Sequence, residues 1–382
     1  MLMVPGMNRE VEGISIPSDV YFAGLKARDP CQSSAEKVRS LFEAAGFGEC
    51  ITRDAPVAIK IHFGERGNDS YIKPVFARQV VDKVREYGGK PFLTDSNTLY
   101  SGSRSNAVDH IITALEHGFS YATVAAPILI ADGVLGKNAR EVRINRHHFD
   151  RVLVSGDIGD VESLVVLSHF KGHEVAGFGG AIKNLAMGCA PPSGKQEQHA
   201  ARPMVLEGRC IGCGKCLAAC PRSAVGLEDG QSVIDRDLCI GCFECMTICP
   251  EHAIDVDWET EIPRFIERMV EYAFGAAQGK KAGYMNFLTH ITPDCDCVGW
   301  SDAPVVPDIG FLASRDPVAI DAASFDLVNR QHGLVHSALT TNMLEGEDKF
   351  RGLRRNTDGY TQVRCGEEIG LGSGSYRLVD IT

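Results

Sequence analysis

Two copies of one cysteine pattern constrain this chain more than anything else in it. Cys210-x2-Cys213-x2-Cys216-x3-Cys220-Pro221 is repeated as Cys239-x2-Cys242-x2-Cys245-x3-Cys249-Pro250, so eight of the 14 cysteines lie in one stretch. Three thiolates on a tight loop reach three corners of a cubane iron–sulfur cluster, and the fourth corner needs a ligand from another segment. In paired runs of this type the fourth cysteine of each run serves the other cluster. The spacing therefore predicts two [4Fe–4S] clusters with crossed ligands. One takes Cys210, Cys213, Cys216 and Cys249; the other takes Cys239, Cys242, Cys245 and Cys220. Gly212, Gly214 and Gly241 leave room for backbone N–H groups beside the sulfurs, and Pro221 and Pro250 turn the chain away. Zinc ribbons use pairs of cysteines, and disulfide frameworks belong to short secreted chains. Neither matches.

The block, taken as residues 203–259, resembles the two-[4Fe–4S] ferredoxins. The resemblance implies a small α+β domain acting as a one-electron wire, without naming what lies at either end.

On both sides of the block the pattern is that of an α/β protein. VAIKIHF (57–63), PFLTDS (91–96), PILIADG (127–133) and LVVLSHF (164–170) are short apolar runs suited to strands buried on both faces. Between them, PVFARQVVDKVREYGG and SNAVDHIITALEHGF carry apolar residues at helical spacing, with Pro74 at a first turn and Gly88 or Gly118 at an end. After the block come a helix over EIPRFIERMVEYAFGAAQG, strands over YMNFLTHI and IGFLAS, a helix from Asp316–Pro317, and a closing strand-like YRLVDI. Such alternation implies a mostly parallel sheet with helices on both faces. The C-terminal piece has too few strands for a sheet of its own. The expected organisation is a loose arm over 1–18, one α/β domain formed by 19–202 and 260–382, and the cysteine block inserted within it.

A second group of reactive residues lies outside the block. Ser168–His199 gathers His169, Lys171, His173, Lys183, Asn184, Cys189, Lys195 and His199 around Gly177, Gly179 and Gly180, glycines that let a backbone approach a ligand or open a helix at an anion. Cys295-Asp296-Cys297 sets two thiols one residue apart, a spacing that suits either a soft metal or a dithiol–disulfide couple. Asp308, Asp316 and Asp321 flank the next strand and helix, Asp316 as a helix cap. His62, Glu65 and Asp95 fall where parallel strands end, the edge at which open α/β sheets bind ligands. His62, Glu65, Cys295 and Cys297 are candidates for a further metal or substrate site.

KIHFGE, KGH…GGAIKNLAMGC…GK…H, the cysteine block and CDC…PDIGFLASRDPVAIDAAS follow one another in a single order over roughly residues 20–335. This resembles the iron–sulfur protein family called "domain of unknown function 362" in its ferredoxin-containing form. The resemblance implies an α/β domain joined to a ferredoxin, generally in microbes with anaerobic metabolism, and no settled reaction.

The net charge of −11 argues against nucleic acid or anionic membranes as partners. No run reaches the roughly 18 apolar residues of a membrane span, and MLMVPGMNREVEG lacks the pattern of a secretory signal, so a cytoplasmic protein is expected. Three functions fit. In the first, an oxidoreductase, a partner such as a ferredoxin, flavodoxin or reductase feeds the clusters, which pass electrons to a small-molecule substrate. Lys183 and Asn184 then hold an anionic or carbonyl group, His173 and His199 donate protons or ligate metal, and Cys295, Cys297 and Cys189 supply sulfur. The second is a non-catalytic electron carrier or assembly partner. The third is a metal-dependent hydrolase or transferase using His62, Glu65, Asp308 and Asp321. Flavin has no supporting G-x-G-x-x-G motif, although many flavin sites carry no short signature.

Overall fold

A computed structural model describes residues 17–199, 202–256 and 261–382. The expected arm over 1–18 lies almost wholly outside the described residues, and Ser18 already opens the first strand. The main elements in chain order are β1 (Ser18–Gly24), α1 (Ser34–Ala44), β2 (Pro56–Ile61), α2 (Pro74–Glu86), β3 (Lys90–Asp95), α3 (Ala107–Glu116), β4 (Ile128–Ile130), β5 (Ser163–His169), α4 (Ala181–Ala186), α5 (Pro192–Gln198), α6 (Glu261–Ala277), β6 (Lys281–Leu288), β7 (Gly310–Ser314), α7 (Pro317–Asn329) and β8 (Tyr376–Asp380).

The eight strands form one sheet in the order β8-β1-β7-β6-β5-β2-β3-β4. Only β7 runs against its neighbours; every other pairing is parallel. The fold is α/β, and strands from both sides of the cysteine block share the sheet.

Alternation along the strands divides the core in two. Val57, Ile59 and Ile61 of β2, with Val165 and Leu167 of β5, meet α1, α2 and α3 on one face. Ala58, Leu164 and Val166 meet α4, α6 and α7 on the other. Because the inner strands are covered on both sides they read as continuous apolar runs. Helix starts follow their caps. Asn106 accepts from Val108 N and Asp109 N at α3, and Asp316 from Val318 N and Ala319 N at α7. The strand expected over 127–133 is only three residues long. A separate hairpin, Ala139–Arg143 with Arg151–Ser155, follows it.

Residues 202–256 carry their own small core of Cys216, Val225, Cys245 and Ile254. Met204–Val205 pairs with Ile254–Asp255, which brings the two ends of the block together, and Val225–Glu228 pairs with Gln231–Ile234. The sequence repeat is also a backbone repeat. Left-handed residues recur at matching places: Gly212 and Gly241 (φ 68° and 66°), Gly214 and Phe243 (70° and 63°), Ser223 and His252 (52° and 47°). Gly212 and Gly214 are there for that conformation.

Candidate functional site

The carboxyl ends of β2, β3 and β5 open into a cavity of about 430 Å³. One wall comes from the α/β sheet and its loops. The opposite wall is Cys242, Phe243 and Glu244 of the second cysteine loop.

A buried ionic lattice builds the sheet wall. Lys60, next to last in β2, has no exposed surface; its Nζ lies 2.9 Å from Asp95 Oδ1 and donates to Asn184 Oδ1 at 2.7 Å. Burial pushes the Asp95 carboxyl up, but Lys60 and His110 outweigh it and hold Asp95 well below the usual carboxylate range. Arg104 joins the same carboxylate at 3.5 Å and Glu65 at 3.2 Å. Both Glu65 oxygens are occupied, one by Ser103 N (2.6 Å) and Ser103 Oγ, the other by Arg104 and Tyr100 OH.

The Cys295–Cys297 segment hangs over this lattice. Val298 N donates to Cys295 O at 3.1 Å, closing a turn that holds both cysteines. Asp296, between them, points into the protein, where its carboxylate meets His169 Nδ1 (2.8 Å), Ser70 Oγ (2.9 Å) and Lys171 Nζ (3.5 Å). His169 Nε2 faces the carbonyls of Thr289 and His290, so the ring is fixed at both ends. Asp296 thus anchors the turn from below. The backbone packs close as well: a Cβ on Gly172 would sit 2.1 Å from Pro293 O.

Lys183, on α4, reaches across to Cys295, with Nζ 3.5 Å from Sγ. The hydrogen bond from Cys297, then Lys183 and Lys171, take Cys295 well below the ordinary thiol range against its burial, and the same hydrogen bond raises Cys297 well above it. Burial works against charge on Lys183, but the Cys295 and Cys297 sulfurs overcome it, so its pKa is raised. The geometry and the directions of these shifts favour a thiolate on Cys295 beside the Lys183 ammonium.

Four sequence candidates take roles other than those expected. His62 Nδ1 accepts from Gly64 N at 3.0 Å, and His173 Nδ1 from Val175 N (3.2 Å) and Ala176 N (3.0 Å). Burial pushes both rings well below the usual range, and the backbone N–H groups at Nδ1 place the ring proton of each on Nε2, where it can donate. Asn184 spends its amide on Lys60, Leu167 O (2.9 Å) and Ser168 Oγ (3.0 Å), which makes it a strut and not a substrate hand. Cys189 does not line the cavity, and burial lifts its thiol to about 11. Of the proposed hard ligands, Glu65 is saturated and Asp321 is turned away: its oxygens accept from Ala181 N (2.7 Å) and Ile182 N (2.9 Å), capping α4. The anion at that glycine-rich helix start is therefore the chain's own carboxylate. Asp308 accepts from His290 N at 2.6 Å. Among the described residues no group of three or more His, Cys, Asp or Glu side chains could hold a single metal ion.

His199 joins the two walls. Its ring packs on Phe265 and Phe243 at centroid distances of 5.1 and 5.8 Å, and it bonds the backbone of Gly241, between Cys239 and Cys242. Burial, then Lys183, lower its pKa to about 3, and its Nδ1 has no hydrogen-bond partner. Glu174 and Glu244 also face the cavity, and burial lifts them to about 6 and about 7. Lys195 donates to Ser96 Oγ at 2.7 Å and is lowered by burial to about 8.

Sequence reasoning missed Lys60, Arg104, Glu174 and Glu244. Lys60 had a signal, a lysine inside an apolar strand; the others sit in loops or in the block with none.

In the block, Cys210, Cys213, Cys216 and Cys249 line one small cavity, and Cys220, Cys239, Cys242 and Cys245 line a second. Backbone N–H groups point at the sulfurs: Ala224 N at Cys220 and Ala253 N at Cys249, both at 3.2 Å, and Ser232 N at Cys210 at 3.3 Å.

Fold and site together define an α/β protein with a thiol-bearing cavity at the strand ends, closed on one side by a cysteine-rich block. The chain belongs to the family described as "Domain of unknown function (DUF362)", whose model matches residues 57–326. No curated protein matches it. Among solved structures it is similar to the lactate racemase apoprotein from Thermoanaerobacterium thermosaccharolyticum, with 10% identity, a TM-score of 0.38, and coverage of 71% of this chain and 51% of that one. A protein from Thermotoga maritima matches at 12% identity and a TM-score of 0.34, covering 67% and 50%. The chain thus spans about half the length of each. No helix among the described residues is long and apolar enough to cross a membrane.

Proposed function

We propose that the chain is an iron–sulfur oxidoreductase that acts on a small molecule held in the cavity. The observation that carries this reading is the shared wall: Cys242, Phe243 and Glu244 line the same cavity as Lys183, Cys295 and Cys297. Two [4Fe–4S] clusters fit the residues present. Each set of four cysteines converges on its own small cavity with the fourth ligand crossed over, and N–H groups aimed at sulfur suit an anionic cluster. When bound, such clusters supply electrons one at a time.

The chain's own residues then bind, position and protonate. Lys183 gives the cavity positive charge beside the Cys295 sulfur. Glu174 and Glu244, raised by burial to about 6 and about 7, titrate close to neutral pH, so they can take up and hand on protons as a substrate takes up electrons. His62 and His173 present Nε2–H groups, which orient an acceptor on the substrate. The cavity and its thiolate favour this reading over a bare electron carrier, and the saturation of Glu65 and Asp321 leaves little for a hydrolytic metal.

The test is iron and acid-labile sulfide on anaerobically purified protein, beside a Cys242→Ser/Cys245→Ser variant. About eight irons and eight sulfides per chain are expected, falling to about four in the variant. Fewer than about five irons in the folded parent protein would remove the two-cluster reading.

A further inference from the structure

We propose that Cys295 and Cys297 form a dithiol–disulfide couple, with Cys295 as the attacking sulfur and Lys183 as its counter-ion, which exchanges electrons with a sulfur–sulfur bond in a small molecule bound in the cavity. This deepens the oxidoreductase reading by naming the groups that change oxidation state. It rests on the cavity as the redox site and not on cluster content.

Three independent features point to it. First, the cysteines are two residues apart, so their Cα atoms lie within about 7.6 Å, and the turn closed by Val298 N and Cys295 O brings them nearer, inside the span a disulfide tolerates. Second, Cys295 is buried yet opens onto the cavity, with an ammonium 3.5 Å from its sulfur. Among the described residues no ion pair to a carboxylate engages Lys183, and the Cys295 sulfur is its hydrogen-bond partner. A thiolate, not a thiol, attacks a disulfide. Third, the pair is not part of a metal-binding group: among the described residues no three His, Cys, Asp or Glu side chains could hold one ion, His62 and His173 present N–H groups, Asp296 faces inward, and Cys189 is off the wall.

The exchange balances without another reactant. The Cys295 thiolate attacks one sulfur of the bound disulfide; a mixed disulfide forms, the substrate S–S bond breaks, and one thiolate leaves. Cys297 then gives up its proton and attacks Cys295 Sγ, and the second thiolate leaves. The pair has lost two electrons and one proton. The substrate has become one thiol and one thiolate. A second dithiol of the same chemical class, running the exchange in reverse, restores the pair: it gives up two electrons and one proton and leaves as a disulfide.

Trypsin should release 282–315, which contains Cys295 and Cys297 and no other cysteine. The protein is equilibrated anaerobically in mixtures of reduced and oxidised dithiothreitol, quenched in acid, unfolded and treated with N-ethylmaleimide. The expected peptide switches from two alkyl groups to none in a single two-electron transition, and Cys297→Ser leaves one alkyl group at every ratio. In folded protein at pH 7, Lys183→Met is expected to slow iodoacetamide alkylation of Cys295 about tenfold or more, as loss of a charge at this distance requires, and Lys183→Arg to restore it in part. Two alkyl groups at every ratio would overturn the couple. So would protection of both cysteines that a chelator removes, the mark of a metal site. Iron and sulfide, measured on the same samples, report separately on the clusters.

Discussion

Lys60→Met tests the physical reasoning at its most exposed point. Lys60 is fully buried, 2.9 Å from Asp95 and 2.7 Å from Asn184 Oδ1. At an effective dielectric constant near 20, the attraction at 2.9 Å is about 6 kcal/mol, much of it cancelled by desolvation of both charges. Methionine fills the volume but leaves Asp95 with one remaining cationic neighbour, Arg104 at 3.5 Å, and the His110 ring at 3.6 Å, where burial works against charge. Stranding one member of a buried pair costs about 3–5 kcal/mol. With an unfolding entropy of about 2.1 cal/mol/K per residue over roughly 300 residues of α/β domain, that is a fall of about 5–8 °C in Tm. Differential scanning calorimetry on the anaerobic protein reads it. A cycle with Asp95→Asn isolates the pair, and the double variant should be more stable than the sum of the singles predicts by about 2 kcal/mol. Because Lys60 also fixes Asn184, the neighbour of Lys183, the surviving folded protein should show slower Cys295 alkylation. A Tm within about 1 °C of the parent, or strictly additive singles, would refute the argument that this pair sets the strand end.

Two further outcomes follow from the same geometry. Gly172→Ala places a Cβ 2.1 Å from Pro293 O, a backbone atom that cannot rotate away; iodoacetamide should react with a displaced Cys295 at a changed rate while iron content stays constant, and an unchanged rate would sever the contact from the turn. His199 has a folded pKa of about 3 against an ordinary 6.5, so its contribution is complete above pH 6.5 and is lost as pH falls toward 3, by up to about 1.4 kcal/mol per pH unit. His199→Phe keeps the stacking and cannot charge, so its urea midpoint should fall less steeply below pH 6.5; parallel curves for the two proteins would count against a buried neutral imidazole.

The sheet was legible because burial on both faces leaves one kind of trace, an apolar run with a helix on either side. VAIKIHF shows where that reading stops. The run marks a buried strand; the lysine inside it, Lys60, carried an unread signal, a buried charge that must have a partner, and nothing local names Asp95 or Asn184. His62, Lys183, Cys295 and Cys297 were legible as candidates because reactive side chains on glycine-rich loops at strand ends have few structural uses. Their division of labour was not. Which nitrogen of His62 carries the proton is decided by Gly64, and whether Asn184 is free is decided by Lys60 and Ser168.

The least legible feature is the one on which function turns, the meeting of the cysteine block with the strand ends. The block's local sequence specifies its own turns, down to the left-handed residue that is Gly214 in one repeat and Phe243 in the other. A phenylalanine in that conformation costs about 1 kcal/mol or more, and the repeat alone gives no reason for it. The reason is across the interface. Phe243 joins the core on the α4, α6 and α7 side of the sheet and packs at a tilt against His199, which packs in turn on Phe265 of α6. The departure from the repeat is thus the residue that docks the second cysteine loop against the cavity. Local strain is accepted where a distant contact outweighs it, so a break in an internal repeat marks the face that binds the rest of the chain.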